Sequence, residues 1–161
     1  MDEIDTRALA LFFFFALLDD RKAIECSVQA MTICHERRKR NPDLKNAVAV
    51  VYATAKIWDR VHLKFQRGLP NSSMESGWLV PGDIDLGSWR EFQKNATNDE
   101  LLTVIWRKVL NYSDQDISEA LGLSVGTVRY RLARAYRKLG GMTHQVSIQA
   151  ARAPARESTD A

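Results

Sequence analysis

The feature that most constrains the fold is an apolar run of eleven residues, Ala8 to Leu18, which contains four consecutive phenylalanines. A helix built from this run is apolar on every side, so it must be buried on every side. The run is about half as long as a membrane span. The segment before it is acidic and Asp-Asp-Arg-Lys follows it, whereas a signal peptide has a basic start and a small-residue cleavage site. We therefore expect a deeply buried helix in a cytoplasmic protein without a membrane segment.

The composition favours an all-α fold. The chain has 161 residues, of which 45% are hydrophobic and 27% charged, and these values are typical of globular proteins. Glycine and proline are scarce, with 8 and 4 residues, and few apolar stretches alternate with the period of a strand. The sequence thus predicts helices that pack around a core.

The two cysteines, Cys26 and Cys34, lie in one predicted helix, about 12 Å apart along its axis. A disulfide needs Cα atoms within about 7 Å, so we expect two reduced core thiols. His35 is adjacent to Cys34, but no second cysteine or histidine falls at the spacing of a metal ligand set. The sequence predicts neither a metal site nor a cofactor.

Three helices are predicted in the first 65 residues, over about 5–18, 21–38 and 44–65. The helical spacing of four apolar residues predicts the inner face of the second helix: Ile24, Val28, Met31 and Cys34. Four bases, Arg37 to Arg40, stand near its end, where cations complement the helix dipole. Contact with nucleic acid is an alternative role for these bases.

Composition changes after the third helix, because glycine and proline concentrate in residues 68–89. Loops longer than about 15 residues are uncommon inside one domain, so this stretch indicates a boundary. We predict an N-terminal lobe over residues 1–65, an irregular linker over 66–94 and a C-terminal lobe over 95–141. Residues 142–161 lack any apolar periodicity and are predicted to be a disordered tail.

The C-terminal lobe has the cap and turn residues of three consecutive helices. Asn98 is predicted to cap the first of these helices, which ends at Asn111 in a left-handed conformation. Ser113 is predicted to cap a short second helix, and Ser124 a third one after the turn Gly122-Leu123-Ser124. The apolar spacing of the third helix predicts its inner face: Val128, Leu132, Ala135 and Leu139. A short helix, a glycine turn and a second helix form a helix-turn-helix.

The third helix of this lobe is basic. Residues 124–139 hold five bases and no acid: Arg129, Arg131, Arg134, Arg137 and Lys138. All five avoid the apolar positions, which predicts a basic outer face suited to a polyanion. An ordinary helical hairpin with a solvated charged face is the alternative, which the glycine turn and the lack of acids disfavour.

Residues 112–135, from Tyr112 to Ala135, resemble region 4 of bacterial sigma factors, especially those of the extracytoplasmic-function group. The most specific part is the stretch Gly-Thr-Val-Arg-Tyr-Arg-Leu-Ala-Arg-Ala over 126–135. The good match covers about 45 of the 161 residues. More weakly, residues 24–31 resemble the clamp-binding helix of sigma region 2, and residues 44–65 correspond to its promoter-melting helix.

The resemblance implies a sigma factor-like initiation protein that binds core RNA polymerase and the −35 element of double-stranded promoter DNA. An anti-sigma factor is a candidate further partner. The implied phosphate contacts are Ser124, Thr127, Arg131, Arg137 and Lys138, and the residues implied to face the bases and the nearby backbone are Arg129, Tyr130 and Arg134. Tyr130 stands where the family usually has a small residue, so the resemblance does not give the promoter sequence.

Two other classes of function stay open at this stage. One is a DNA-binding regulator without initiation activity, and the other is an adaptor that binds polymerase or another sigma factor. An enzyme is not expected, because the chain has no recognisable phosphate-binding loop, nucleophile elbow or metal cluster.

Overall fold

The computed structural model describes residues 3–64 and 86–142, with the side chains of 6–64 and 86–140. These ranges contain helices and no strand, which confirms the all-α prediction. The helices are α1 (Glu3–Leu17), α2 (Asp20–Arg40), α3 (Asn46–Val61, followed by the 3₁₀ turn His62–Lys64), α4 (Leu86–Asn95), α5 (Asn98–Val104, continued as the π-helical turn Ile105–Val109), α6 (Asp114–Leu121) and α7 (Val125–Met142). None of the described helices is long and apolar enough to span a membrane.

Helix α1 is the centre of the core, as its sequence predicts. Every residue from Phe12 to Leu18 is at most 4% exposed. The ring of Phe12 stacks on Trp106 with centroids 5.7 Å apart, and Phe15 meets Trp89 edge-on at 5.4 Å. Because Trp106 follows α5 and Trp89 lies in α4, both halves of the chain cover this one helix.

The sequence prediction for the inner face of α2 is wrong. Ile24 and Val28 are 47% and 59% exposed, and the buried face consists of small residues: Ala23, Cys26, Ser27, Ala30 and Cys34. Small side chains let α2 approach the bulky phenylalanines of α1 closely, so the larger apolar residues turn outward. Of the four positions predicted to be inside, Cys34 is buried and Met31 is partly buried.

Both cysteines are free and buried, as predicted. Burial, followed by the negative charge of Glu25, raises the pKa of the Cys26 thiol to about 11. The thiol of Cys34 donates to the carbonyl of Ala49 at 3.5 Å and ties α2 to α3. These thiols belong to the packing of the N-terminal lobe.

Part of the predicted linker is a helix. Residues 66–85 lie outside the described residues, and residues 86–94 form α4 rather than irregular chain. The indole N–H of Trp89 donates to the carbonyl of Phe15 at 2.8 Å, and the Gln93 amide donates to the carbonyl of Ala16. Side chains of α4 thus donate to carbonyls at the end of α1, where no further helical turn supplies N–H donors. The tail predicted over 142–161 also lies outside the described residues, apart from Met142, the last residue of α7. The domain boundaries remain a prediction.

The two lobes share one hydrophobic core. The buried cluster runs from the phenylalanines of α1 through α3 and α5 to the inner face of α7. The Trp106 indole donates to the Thr54 hydroxyl at 2.9 Å, and Lys45 pairs with Asp116 at 3.3 Å between α3 and α6. Sequence analysis predicts two lobes, but it contains no signal for this close packing between them.

The shared core predicts that a cavity under α1 weakens α7. Replacing Phe12 by Ala removes the ring that stacks on Trp106, and such a change costs about 3–5 kcal/mol. We expect hydrogen-exchange protection at Val128 and Leu132 in α7 to fall by the same free energy. Leu63→Ala, at a side chain that is 85% exposed, is the control and should change neither value. Unchanged protection in α7 of the Phe12 variant would show that the lobes unfold independently.

Candidate nucleic-acid interface

The helix-turn-helix is built from the caps that the sequence predicts. The Ser113 hydroxyl accepts from the N–H of Asp116 at 3.1 Å and opens α6. Gly122 has φ of +66°, a left-handed conformation that glycine adopts without strain, and it ends α6. The Ser124 hydroxyl accepts from the N–H of Thr127 at 3.1 Å and opens α7. These three residues set the angle at which α7 leaves the turn.

The predicted inner face of α7 is confirmed. Four side chains are at most 6% exposed: Val128, Leu132, Ala135 and Leu139. They pack against α5 and α6, where Ile117 is fully buried. The rest of α7 is thereby presented to solvent.

The helix before the helix-turn-helix begins one residue earlier than its sequence predicts. Its N-cap is Thr97, not Asn98. The Thr97 hydroxyl accepts from the N–H of Glu100, and the Glu100 carboxylate accepts from the N–H of Thr97, both at 3.2 Å. This reciprocal pair is a capping box, and the pattern Thr-x-x-Glu is its sequence signal. The predicted left-handed end at Asn111 is confirmed, with φ of +58°.

The five bases of α7 do not lie on one stripe. Successive residues of a helix are about 100° apart, so Tyr130, Arg134 and Arg137 point away from the buried face. Arg129 lies on one flank of this outward face, and Arg131 and Lys138 lie on the other. Tyr130, which is 58% exposed, stands at the middle of the outward face. Ser124 and Thr127 lie together at the start of α7, with their hydroxyl oxygens 2.9 Å apart.

Carboxylates at the starts of α5 and α6 pair with four of these bases. Arg129 lies 3.2 Å from Asp114, Arg131 lies 3.4 Å from Asp99, and Glu100 binds both Arg134 at 3.3 Å and Lys138 at 2.7 Å. The described contact of Arg137 is instead with the carbonyl of Ala133, at 3.3 Å. Sequence analysis does not predict this pairing, because it joins residues up to 38 positions apart.

The environments of these carboxylates differ. Asp99 has a 62% exposed side chain, and the Arg129 side chain that reaches Asp114 is 70% exposed. Such exposed pairs contribute at most about 1 kcal/mol. The Glu100 side chain is 3% exposed and accepts from Lys138, Arg134 and the Thr97 N–H. Burial alone would raise the pKa of Glu100, but these hydrogen bonds outweigh it and hold the pKa below its usual value.

The bound Glu100 carboxylate predicts a pH-dependent contribution to stability. Because its folded-state pKa is lowered, the contribution is present above the unfolded pKa, about 4.3, and is lost as the pH falls through the folded pKa. Glu100→Gln should therefore be less stable than the wild type in urea at neutral pH and equally stable at strongly acidic pH. Glu91→Gln, at an exposed pair with Lys94, is the control and should differ little at either pH. A stability gap that persists in acid would refute this assignment.

The arrangement can bind an anion. Within residues 3–64 and 86–142, no group of three or more His, Cys, Asp or Glu residues could hold a metal ion. The outward face of α7 instead combines a hydroxyl pair, an aromatic ring and two guanidinium groups. This combination suits hydrogen bonding to phosphates and base edges.

One family model matches the C-terminal part of the chain. Residues 103–139 match the model of the family described as Sigma-70, region 4, and this segment is under a quarter of the chain. Searches of curated proteins and of solved structures gave no match. The match supports the sigma-70 region 4 family for the segment that runs from α5 through the helix-turn-helix to Leu139.

Proposed function

We propose that the protein is a sigma factor-like transcription initiation protein. In this proposal it binds core RNA polymerase and reads a promoter −35 element with its C-terminal helix-turn-helix. The observation that carries the proposal is the coincidence of the region 4 match with α6 and α7, whose outward face holds Tyr130, Arg134 and Arg137. The activity is binding rather than catalysis.

The docking that we propose places α7 in the major groove, whose width of about 12 Å admits a helix. The hydroxyls of Ser124 and Thr127 and the free N–H groups at the start of α7 would meet a phosphate. Arg129, Tyr130 and Arg134 would face base edges and the nearby backbone. Three further bases would contact phosphates: Arg131, Arg137 and Lys138.

Arg137 is the first of these phosphate contacts to test, because its described contact is not with a carboxylate. Each phosphate neutralised lowers the slope of log K against log salt by about 0.9. We expect Arg137→Ala to weaken binding to all duplex sequences alike and to reduce that slope by about one, as measured by fluorescence anisotropy of the full chain. Arg21→Ala on α2 removes the same charge at an exposed residue and should leave the slope unchanged. Equal slopes for wild type and Arg137→Ala would rule out this contact.

A second candidate function is DNA binding without initiation, and the burial of α3 favours it. By resemblance, α3 corresponds to the promoter-melting helix, but eight of its residues are buried beneath neighbouring helices: Val48, Ala49, Val50, Val51, Ala53, Thr54, Ile57 and Trp58. Helices α1, α2 and α6 all pack on α3. Melting by this helix would require the lobes to separate, whereas duplex binding by α7 would not.

Locking the lobes together separates the two functions. Lys45→Cys and Asp116→Cys place thiols at the residues that pair between α3 and α6, and a short bismaleimide can join them. We expect the uncrosslinked variant with core polymerase to give run-off transcripts from its own genome. The crosslinked form should still bind duplex DNA but give none. The control is the same double variant with each thiol modified by a separate maleimide, so that the two residues are altered but not joined.

Two other results would point elsewhere. Duplex binding with no transcript from either form would support the regulator. An adaptor role would be supported if charge reversal at Arg129 and Arg134 left polymerase binding intact and if the wild type had no affinity for duplex DNA.

A further inference from the structure

Within the described residues, Glu100 on α5 and Arg134 on α7 form the most constrained contact between the outward face of α7 and its surroundings. Oε1 of Glu100 accepts from Nε of Arg134 at 3.3 Å, and Oε2 accepts from Nζ of Lys138 at 2.7 Å. The capping box holds the same carboxylate to the first turn of α5. The lysine is fixed as well, since its ammonium also donates to the carbonyl of Asn95 at 3.0 Å. The carboxylate therefore has one available position.

The contacts of Arg134 leave several of its hydrogen-bond donors unused. A guanidinium has five N–H donors in a rigid plane. The Nε donor goes to Glu100, and one Nη1 donor goes to the hydroxyl of Tyr130 at 3.1 Å. The second Nη1 donor and both Nη2 donors have no contact in the described structure. The side chain is 47% exposed, so the guanidinium is accessible from solvent.

The other arginine pairs of α7 lack this constraint. Arg129 and Arg131 meet aspartates through pairs in which at least one side chain is more than 60% exposed. Such pairs exchange readily with water and with other anions, because exposed pairs gain little free energy. Only Glu100, among the carboxylates that the described residues of α7 contact, is almost fully buried and bound on both oxygens.

We propose that Glu100 is a positioning residue that orients Arg134 to read a guanine in the major groove. The inference rests on the proposed function of the helix-turn-helix. Guanine presents two acceptors, O6 and N7, to the major groove, and a guanidinium edge matches them with two parallel hydrogen bonds. With Nε held by Glu100, the remaining Nη1 and Nη2 donors are available as the donor pair. The Tyr130 hydroxyl, which accepts from Nη1, keeps its own proton for a neighbouring acceptor.

This role predicts an effect that a merely structural residue would not produce. Without the negative charge, Arg134 can adopt many rotamers, so guanine preference should fall. Arg134 would at the same time be released to pair with a phosphate, so affinity for unrelated duplex DNA should rise. A residue that only stabilises the fold would lower both affinities together.

The experiment compares binding-site selection by the wild-type chain and by Glu100→Gln, using a pool of randomised duplexes. Anisotropy is then measured with the selected duplex and with duplexes changed at each single base pair. Glu100→Gln should lose about tenfold of the preference for guanine at one position. Its salt slope on unrelated duplex should steepen by up to about one, because Lys138 already contacts a phosphate in the proposed docking and Arg134 is the newly released cation. In an Arg134→Ala background, Glu100→Gln should leave base preference unchanged.

Two variants separate positioning from folding. Thr97→Ala breaks the capping box at the same helix start but leaves the Glu100 carboxylate beside Arg134, so it should lower stability and keep the guanine preference. Arg134→Lys keeps the charge but lacks the planar donor pair, so it should lose the preference and keep the salt slope. If Glu100→Gln does not fold, the guanine preference can still be measured in Arg134→Lys, which should fold because Arg134 is a surface residue.

Three results would overturn the inference. The first is an unchanged guanine preference in Glu100→Gln or in Arg134→Lys. The second is an equal loss of preference in Thr97→Ala, which would assign the effect to the start of α5 rather than to the carboxylate. The third is that the wild type selects no motif, in which case the proposed function fails and this inference fails with it. If the wild type selects a motif that Glu100→Gln selects equally well, this inference alone fails.

Discussion

The fold depends on the need to cover an apolar helix on every side. Burying a phenylalanine contributes about 1.5–3 kcal/mol, so the four of α1 together contribute roughly as much as the net stability of a small domain. The N-terminal lobe cannot cover α1 alone, because α2 and α3 shield only part of it. Trp89 and Trp106 cover it further, and Trp89 lies within the segment that was predicted to separate the lobes, whereas Trp106 follows that segment. The aromatic contacts of α1 therefore decide that the two lobes pack as one core.

This packing also sets the position of the recognition surface. Trp106 stacks on Phe12 and donates to Thr54, which fixes the end of α5 against α1 and α3. Helix α7 in turn packs on α5 and α6 through its four inner residues. A chain of buried contacts thus runs from the centre of the core to the helix that we propose enters DNA. The precision of a binding face built in this way comes from helices rather than loops.

The sequence predicts the C-terminal lobe better than the N-terminal one, for a physical reason. Caps and turns at Ser113, Gly122 and Ser124 are local interactions, so a few adjacent residues specify them. The inner face of α2 depends on a partner helix instead. Ile24 and Val28 have helical apolar spacing, but the close approach to phenylalanines selects Ala23, Ala30 and their small neighbours. The pairing of Glu100 with Arg134 and Lys138 likewise joins two helices, so no local pattern specifies it.

The acids at the starts of α5 and α6 have two roles that reinforce each other. Asp99, Glu100 and Asp114 lie where a helix dipole favours negative charge, and the same carboxylates pair with bases of α7. Each pair lowers the positive potential of the outward face, and that potential is the source of sequence-independent attraction to DNA. The outward face therefore loses affinity for DNA of any sequence. An arginine held in one orientation discriminates better between bases, because its bidentate contact contributes about 1–3 kcal/mol only at the matching base. Five bases on one helix are thus a poor measure of DNA affinity, since the carboxylates packed beside them decide how many remain available to phosphate.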